Sequence, residues 1–549
     1  MRVHDPEAHA LRRGLGVLDL ACAALLVVMV LWYSFRFVSF SHYPEEDAAM
    51  LLRYSEHVAQ GQGVVWNVGE KPVDGATDFL FMIVVGCLIR AGFSVTHAAQ
   101  ETALVCHTLT VLGIFLGTRA LSGGRRAAAA VSAAYLAVGP GLRYAAASYG
   151  TPLTALLALA TWLVAMRVEV SPPQGAQDWA RLLGACTALL GMARPEGALL
   201  GLFCFATVVL LRDRGERNDV LKAFCSTFVP LGLVCFTWHW SCFGDPLPNP
   251  FYRKAGGAPH WYALARAFLN IASLGGVFLA VLAAGPLFRR TRRASLVALV
   301  PVAAFGAIWV LVSDETNYFM RFRYPVLPLI LVSAVPVGEN LAEGVLRRLR
   351  GRGRVLRATL AAAVVSVALG VVAVQERHSA RIEPRRIGLY DVALRLRPLS
   401  SRSYALATTE AGLLPLYSRW RAIDAWGLND SWIAHHGGIT EQYLDRYRPE
   451  VIMFHAYFTA DGVEESSDTR ERGLGPSWSA MVETLKRYAE QRGYVQAAVF
   501  ARSTDAHYYY VRPDFPESEK VIGAIRATRY RWDGELLRPG PTPPGRGPG

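Results

Sequence analysis

Apolar runs recur along this chain from residue 15 to about residue 376, and no other feature limits its fold as severely. The first, LGVLDLACAALLVVMVLWYSFRFVSF at 15–40, exceeds the roughly 20 residues that a helix needs to cross a hydrocarbon core about 30 Å thick. A cleavable leader explains one such run, not a dozen. With 52% hydrophobic residues among 549, the chain reads as a polytopic α-helical membrane protein.

Its formal charge of +13, from 57 Lys and Arg against 44 Asp and Glu, would suit a polyanion, but the distribution argues otherwise. The basic residues gather in short loops between apolar runs: SGGRR (122–126), LRDRGER (211–217), FRRTRRA (288–294) and LRRLRGRGRVLR (346–357). That is the signature of cytoplasmic loops facing anionic headgroups, so membrane lipids rather than nucleic acid are the expected partners. Keeping Arg2, Arg12, Arg13 and these loops inside predicts spans near 15–40, 100–118, 126–142, 153–166, 182–192, 198–211, 222–241, 265–287, 294–312, 324–338 and 358–376. The parity of these roughly eleven transmembrane helices requires that 79–93, FLFMIVVGCLIRAGF, lie at the outer interface instead of crossing. The eight cysteines sit in or beside apolar runs and offer neither a disulfide framework nor a zinc spacing.

On this topology the unusual polar loops 41–78, 143–152, 193–197, 243–262 and 313–323 all face outward, as does everything after residue 376. The pair of short apolar arms at 182–211 flanks ARPE, which sets Arg194 and Glu196 at a helix break below the outer surface. Ionisable groups at that depth pair structurally or line a functional cavity. Beyond 376 the composition turns soluble. SYALATTEAG and PEVIMFHAY read as buried strands, SWSAMVETLKRYAEQRGY as an amphipathic helix, and VQAAVFA as a further strand. The expected organisation is a membrane domain at 1–376 with its first external loop at 41–78, an extracytoplasmic α/β domain at 377–533, and a disordered Pro/Gly-rich tail at 534–549.

The first external loop carries the densest chemistry. EEDAAMLLRYSEHVAQGQG reads as a short helix with Met50, Leu51, Tyr54 and Val58 on one face, and acids at its start suit the helix dipole. Glu45, Glu46 and Asp47 could be no more than solvated N-terminal acids. The loop continues, however, through Gly61 and Gly63 to Asp74, Thr77 and Asp78, so that acids stand at both of its ends and would line a cleft at the membrane surface.

The stretch EEDAAMLLRYSEHVAQGQGVVWNVGEKPVDGATDFL (45–80) resembles the first external loop of GT-C glycosyltransferases, above all the group containing the terminal arabinofuranosyltransferases of mycobacterial cell walls. An acidic pair, Arg53-Tyr54, a Gly-x-Gly and an Asn-x-Gly-Glu occur in that order. ARPEG (193–197), FGDPLPNPFYRKAGG (243–257), RFRYPVLP (321–328) and AIDAWGLNDSWIAHH (422–436) fit the same group. Two departures stand out: Glu46-Asp47 replaces the usual pair of aspartates, and SYGTPLTALL (148–157) has no acid where the family often has one.

The resemblance implies a GT-C-like membrane domain that transfers a sugar, arabinofuranose being one candidate, from a polyprenyl-phosphate donor to a cell-envelope glycan or protein acceptor. Asp47 becomes the expected base, with Glu46 as its helper. Arg253, Lys254, Arg321 and Arg323 become expected partners of the donor phosphate, although each alone could be a snorkelling interfacial cation. Arg53, Tyr54, Asp74, Thr77, Asp78, Arg194, Glu196, Asn249 and Tyr252 complete the expected substrate contacts. A divalent metal stays open, and the spacing of His42 and His57 does not indicate one. In the outer domain Glu410, Asp424, Asn429 and Asp430 could hold an acceptor glycan and Trp420, Trp426 and Trp432 could stack on sugars, or these residues simply build a folded lid. The competing readings are a transporter or flippase of lipid-linked envelope precursors and a scaffold without catalysis.

Overall fold

A computed structural model describes residues 15–38, 43–122, 124–254, 259–289, 291–311, 317–348, 388–456, 475–502, 506–532 and 535–540, together with Phe40 and Gly370. The first apolar run forms α1 (Val17–Phe37). Its one acid, Asp19, is buried and paired with Arg119 at 2.7 Å and Arg126 at 2.6 Å. Helix α2 (Glu46–Ala59) follows in the first polar loop, then α3 (Phe79–Arg90). At 12 residues, α3 is only about 18 Å long, too short to cross a bilayer, and it packs along α2.

Helices α4 (Val95–Leu121), α5 (Arg126–Ala137), α6 (Gly141–Ala146) and α7 (Thr151–Val170) come next. The span expected at 126–142 is interrupted, because Gly139-Pro140 ends α5 at Ala137 and α6 starts afresh. Helices α8 (Pro173–Ala193) and α9 (Pro195–Leu211) form a hairpin. Helix α8 begins well before the expected residue 182, since Pro173 opens it from the preceding loop. The membrane domain continues with α10 (Arg214–Phe243), α11 (Asn249–Lys254), α12 (Trp261–Ala284), α13 (Arg292–Ala307) and α14 (Leu327–Arg348). Among the described residues seven helices are long and apolar enough to cross a membrane, fewer than the eleven expected, and the chain is a multi-pass membrane protein. The expected span at 358–376 lies, but for Gly370, outside the described residues.

The C-terminal region begins with α15 (Leu389–Leu396) and is built on β1 (Ala405–Thr408), β2 (Arg421–Asp424), β3 (Val451–His455), β4 (Val495–Ala501) and β5 (Ala506–Val511), in the order β2-β1-β3-β5-β4. Strands β2, β1 and β3 run parallel, with the short α16 (Leu413–Ser418) crossing between β1 and β2. The strands read from SYALATTEAG, PEVIMFHAY and VQAAVFA are all present, and SWSAMVETLKRYAEQ, without the RGY after it, falls in α17 (Gly475–Gln491). Where the sequence suggested a tail from 534, Glu535–Leu537 pair with Tyr530–Trp532 in a hairpin, and the Gly540 N–H reaches the Val499 carbonyl. Loops leaving the carboxyl ends of β1 and β2 meet the membrane domain: Gly412 and Leu413 touch α2, Asn429 reaches Tyr54 of the same helix, and Leu428 reaches the start of α11.

Candidate active site

All five of the motif segments meet at one cavity of about 320 Å³. Its polar wall is Asp47 from the first turn of α2, Thr77 and Asp78 from the approach to α3, Arg194 and Glu196 from the α8–α9 turn, and Arg321 from the segment before α14. Three carboxylates therefore face two guanidiniums. Apolar side chains dominate the rest, among them the exposed Leu199, Leu247 and Phe251.

Local backbone chemistry aims these charges. Arg194 precedes Pro195, and a residue before proline is driven out of the helical region. It adopts φ −156° and ψ 137°, ends α8 and starts α9 at once, and is thereby turned sideways from both helices. Its buried guanidinium pairs with Asp78 and, at 2.6 Å, with Glu196, and lies 4.8 Å from the Phe322 ring centroid. Desolvation pushes the Asp78 carboxyl above its ordinary range, against the pull of Arg194.

Arg321 is held differently. Phe319 and Met320 just before it have φ of 58° and 61°, left-handed values that cost a non-glycine residue of order 1–3 kcal/mol. The Tyr144 hydroxyl donates to the Phe319 carbonyl at 2.6 Å and Arg143 covers the Phe319 ring, which fixes the turn. Arg321 then passes over Tyr149, 4.3 Å from its centroid, and donates to Asp47 at 2.7 Å. Its side chain is 10% exposed and that of Asp47 26%, while the Arg321 Nε is buried without a partner. Ser148, which also lines the cavity next to Tyr149, has φ 66°, and its buried hydroxyl is also unpartnered.

The other expected site residues lie elsewhere. Glu46 turns away from the cavity, and its two carboxylate oxygens accept the backbone N–H groups of Gly412 at 2.5 Å and Leu413 at 3.0 Å. Glu45, expected in solvent, is buried. Arg53 is a buried clamp whose guanidinium donates to the carbonyls of Trp66, Pro415 and Trp420 and to the Asn67 amide oxygen. Tyr54 donates to Asn429 at 3.0 Å. Asp74 binds His239 at 2.8 Å and takes the Asn249 N–H on its carbonyl. The Asn249 amide donates to the carbonyls of Gly427 and Leu428, both at 2.9 Å, so it ties the two domains. Tyr252 packs at a tilt of 40° against His435, centroids 4.4 Å apart. Arg253 donates to the Trp426 carbonyl at 2.7 Å and covers that indole, and Arg323 is buried over Trp309. The Lys254 side chain lies outside the described residues.

Of the residues in the C-terminal region, Asp424 is consumed by the loop that follows it, accepting from Trp426, Gly427 and Asn429. Asp430 caps the helix after it and holds Tyr443. Trp420 is core. Among the described residues no group of three or more His, Cys, Asp or Glu side chains is placed to hold a metal ion. Tyr149, Ser148, Trp309, Phe322 and Leu428 line the cavity without having been singled out. Tyr149 and Ser148 sat in SYGTP, noted only for its missing acid, while Trp309 and Phe322 look in sequence like ordinary span-end residues.

The chain has the GT-C fold. It superposes on ArnT from Cupriavidus metallidurans in the apo state with a TM-score of 0.55 at 16% identity, over 90% of this chain and 98% of that one. The same protein bound to undecaprenyl phosphate gives 0.52 at 15% identity, over 90% and 97%. The Archaeoglobus fulgidus oligosaccharyltransferase, tethered to an acceptor peptide, gives 0.54 at 12% identity, over 91% of this chain and 74% of that one. Residues 380–512 match a family model described as a domain of unknown function (DUF8728). No curated protein matches the sequence.

Proposed function

We propose that this protein is a membrane glycosyltransferase that moves a sugar from a polyprenyl-phosphate donor to a cell-envelope glycan or glycoconjugate on the outer face. The observation that carries this reading is the Asp47–Arg321 pair, a partly exposed carboxylate held by a desolvated guanidinium at the wall of a largely apolar chamber. Asp47 takes the proton of the acceptor hydroxyl as that oxygen bonds to the anomeric carbon. The bond from that carbon to the donor phosphate breaks on the opposite side, its electron pair leaves with polyprenyl phosphate, and the configuration inverts. A phosphate leaves as a stable anion, so cations suffice there and no acid is needed. Arg321 meets that requirement with a fork suited to phosphate oxygens. In competing for Arg321, the phosphate releases Asp47 for its acceptor.

The exposed Leu199, Leu247 and Phe251 supply an apolar path for an isoprenoid chain. A shared fold with a protein crystallised with undecaprenyl phosphate supports the same donor class. Arabinofuranose as the sugar rests on the motif resemblance, and the outward orientation rests on the arginine-rich loops. The test is mass analysis of envelope glycans from a deletion strain complemented with wild type or Asp47→Asn. Loss of one sugar type in the deletion and in the Asp47→Asn strain is expected, and unchanged glycans in the deletion strain would reject the reading.

A further inference from the structure

Glu46 and Asp47 are neighbours in sequence, yet they serve different partners. Consecutive helical residues point about 100° apart, so only one of the two can face the cavity. Asp47 does. Glu46 reaches the loop after β1, where each of its oxygens receives one backbone N–H. This contact is built on both sides. A Cβ added at Gly412 would lie 1.9 Å from the Glu46 carbonyl oxygen and 2.7 Å from its Oε1, so only glycine permits the approach. Helix α2 also packs along α16, the helix that begins at Leu413.

We infer that the C-terminal domain sets the position of the proposed base, with Glu46 as the positioning residue that fastens the first turn of α2 to the Gly412–Leu413 backbone. The inference rests on the reading of Asp47 as the base. Asp47 and Glu46 share the first turn of α2, which is entered from Glu45, whose N–H donates to the Ala147 carbonyl at 3.2 Å. Fixing Glu46 at two points fixes the direction of the Asp47 side chain, and Arg321 restrains it only until a phosphate claims the guanidinium. During transfer, Glu46 is then what keeps Asp47 aimed at the acceptor. Losing about 1 Å of alignment typically costs on the order of 100-fold in rate.

The test uses full-length protein in membranes of the deletion strain, titrated with the lipid-linked sugars extracted from the parent strain and compared at matched protein level. Glu46→Gln replaces one accepting oxygen by a donor that opposes an N–H, and Glu46→Asp keeps the carboxyl but withdraws it by one methylene. Both should lower the maximal rate roughly 10- to 100-fold while half-saturation by the donor lipid stays within about twofold. Gly412→Ala, approached from the other domain, should give the same split. Arg421→Ala cuts an exposed ion pair to Glu70 that also joins the domains but lies away from Asp47, and it should keep the wild-type rate. Should Glu46→Gln fail to accumulate, Glu46→Asp decides. Wild-type maximal rates in the Glu46 and Gly412 variants beside an inactive Asp47→Asn would overturn the inference alone. An equal loss in Arg421→Ala would also overturn it, by showing a general docking effect. An active Asp47→Asn would instead remove the base assignment on which it rests.

Discussion

The cavity and the seam between the domains draw on the same loop and use its charges in opposite ways. At the cavity Asp47, Asp78, Glu196, Arg194 and Arg321 are paired among themselves, and Arg321 keeps a buried Nε without a partner. At the seam most of the described buried polar groups are matched, the Asn249 amide oxygen being an exception. Arg53 donates to four oxygens, Glu46 accepts two N–H groups, and the Asn67 amide both accepts from Ala422 N–H and donates to Ala422 carbonyl, capping the free edge of β2. Satisfied buried groups hold a structure together, whereas incompletely satisfied ones mark where a ligand completes the network.

That contrast predicts different failures. The largest is Asp47→Asn, which should lower transfer 10²–10⁴-fold, of the order typical for a lost base, while accumulation and thermal stability stay near wild type. Activity normalised to protein in membranes measures it. Arg53→Ala should do the reverse. Removing a buried guanidinium strands four acceptors and costs about 3–5 kcal/mol, read as a lowered melting temperature or loss of folded protein. An Arg53→Ala protein that melts like wild type would erase the distinction between the regions.

Arg321→Ala should raise the donor concentration for half-saturation about tenfold or more and reduce salt sensitivity, because it removes the cation proposed to meet the phosphate. An unchanged donor titration would take Arg321 out of the site.

A smaller effect is expected from pH. Desolvation, then the neighbouring Glu410 carboxylate, pushes Glu46 up to about 8 from an ordinary value of 4.5, with Asp47 adding to the rise and the two N–H groups opposing it. Buried Tyr509 and Tyr530 also face this acid. A raised folded-state value means the docked form holds the proton more tightly. Docking strength should therefore be full below about 4.5 and decline as pH climbs through about 8. Melting temperature between pH 6 and 8.5 reads this, and Glu46→Gln should flatten the slope; a wild-type protein that gains stability over that interval would contradict it. Least affected should be Arg421→Ala, since exposed ion pairs contribute 0–1 kcal/mol, about a degree or two in melting temperature.

Much of this was legible beforehand because it depends on local chemistry. A run of apolar residues must find a hydrocarbon or protein interior wherever it sits, so the membrane class follows from composition and length. The break at Arg194 follows from Pro195, the short helix at Glu46–Ala59 from its periodicity, and the strands after residue 400 from theirs. Helix count was less legible: the charges along 173–181 hid the true start of α8, and Gly139-Pro140 cut a run that hydropathy alone joins.

What the sequence determined by itself was the membrane-embedded helical fold, the sheet-containing C-terminal domain, and the handful of loops in which charge concentrates. Which of those charges face a cavity and which are buried in a seam was decided only by tertiary structure. Glu46 and Asp47 are chemically alike and adjacent, and Arg53 and Arg321 both sit in motif-like stretches. Their roles diverge because a helix turns by about 100° per residue, and because partners 274 to 367 positions away take one charge and not the other. Long-range pairing of that kind leaves no periodicity, no cap and no spacing in the chain to read.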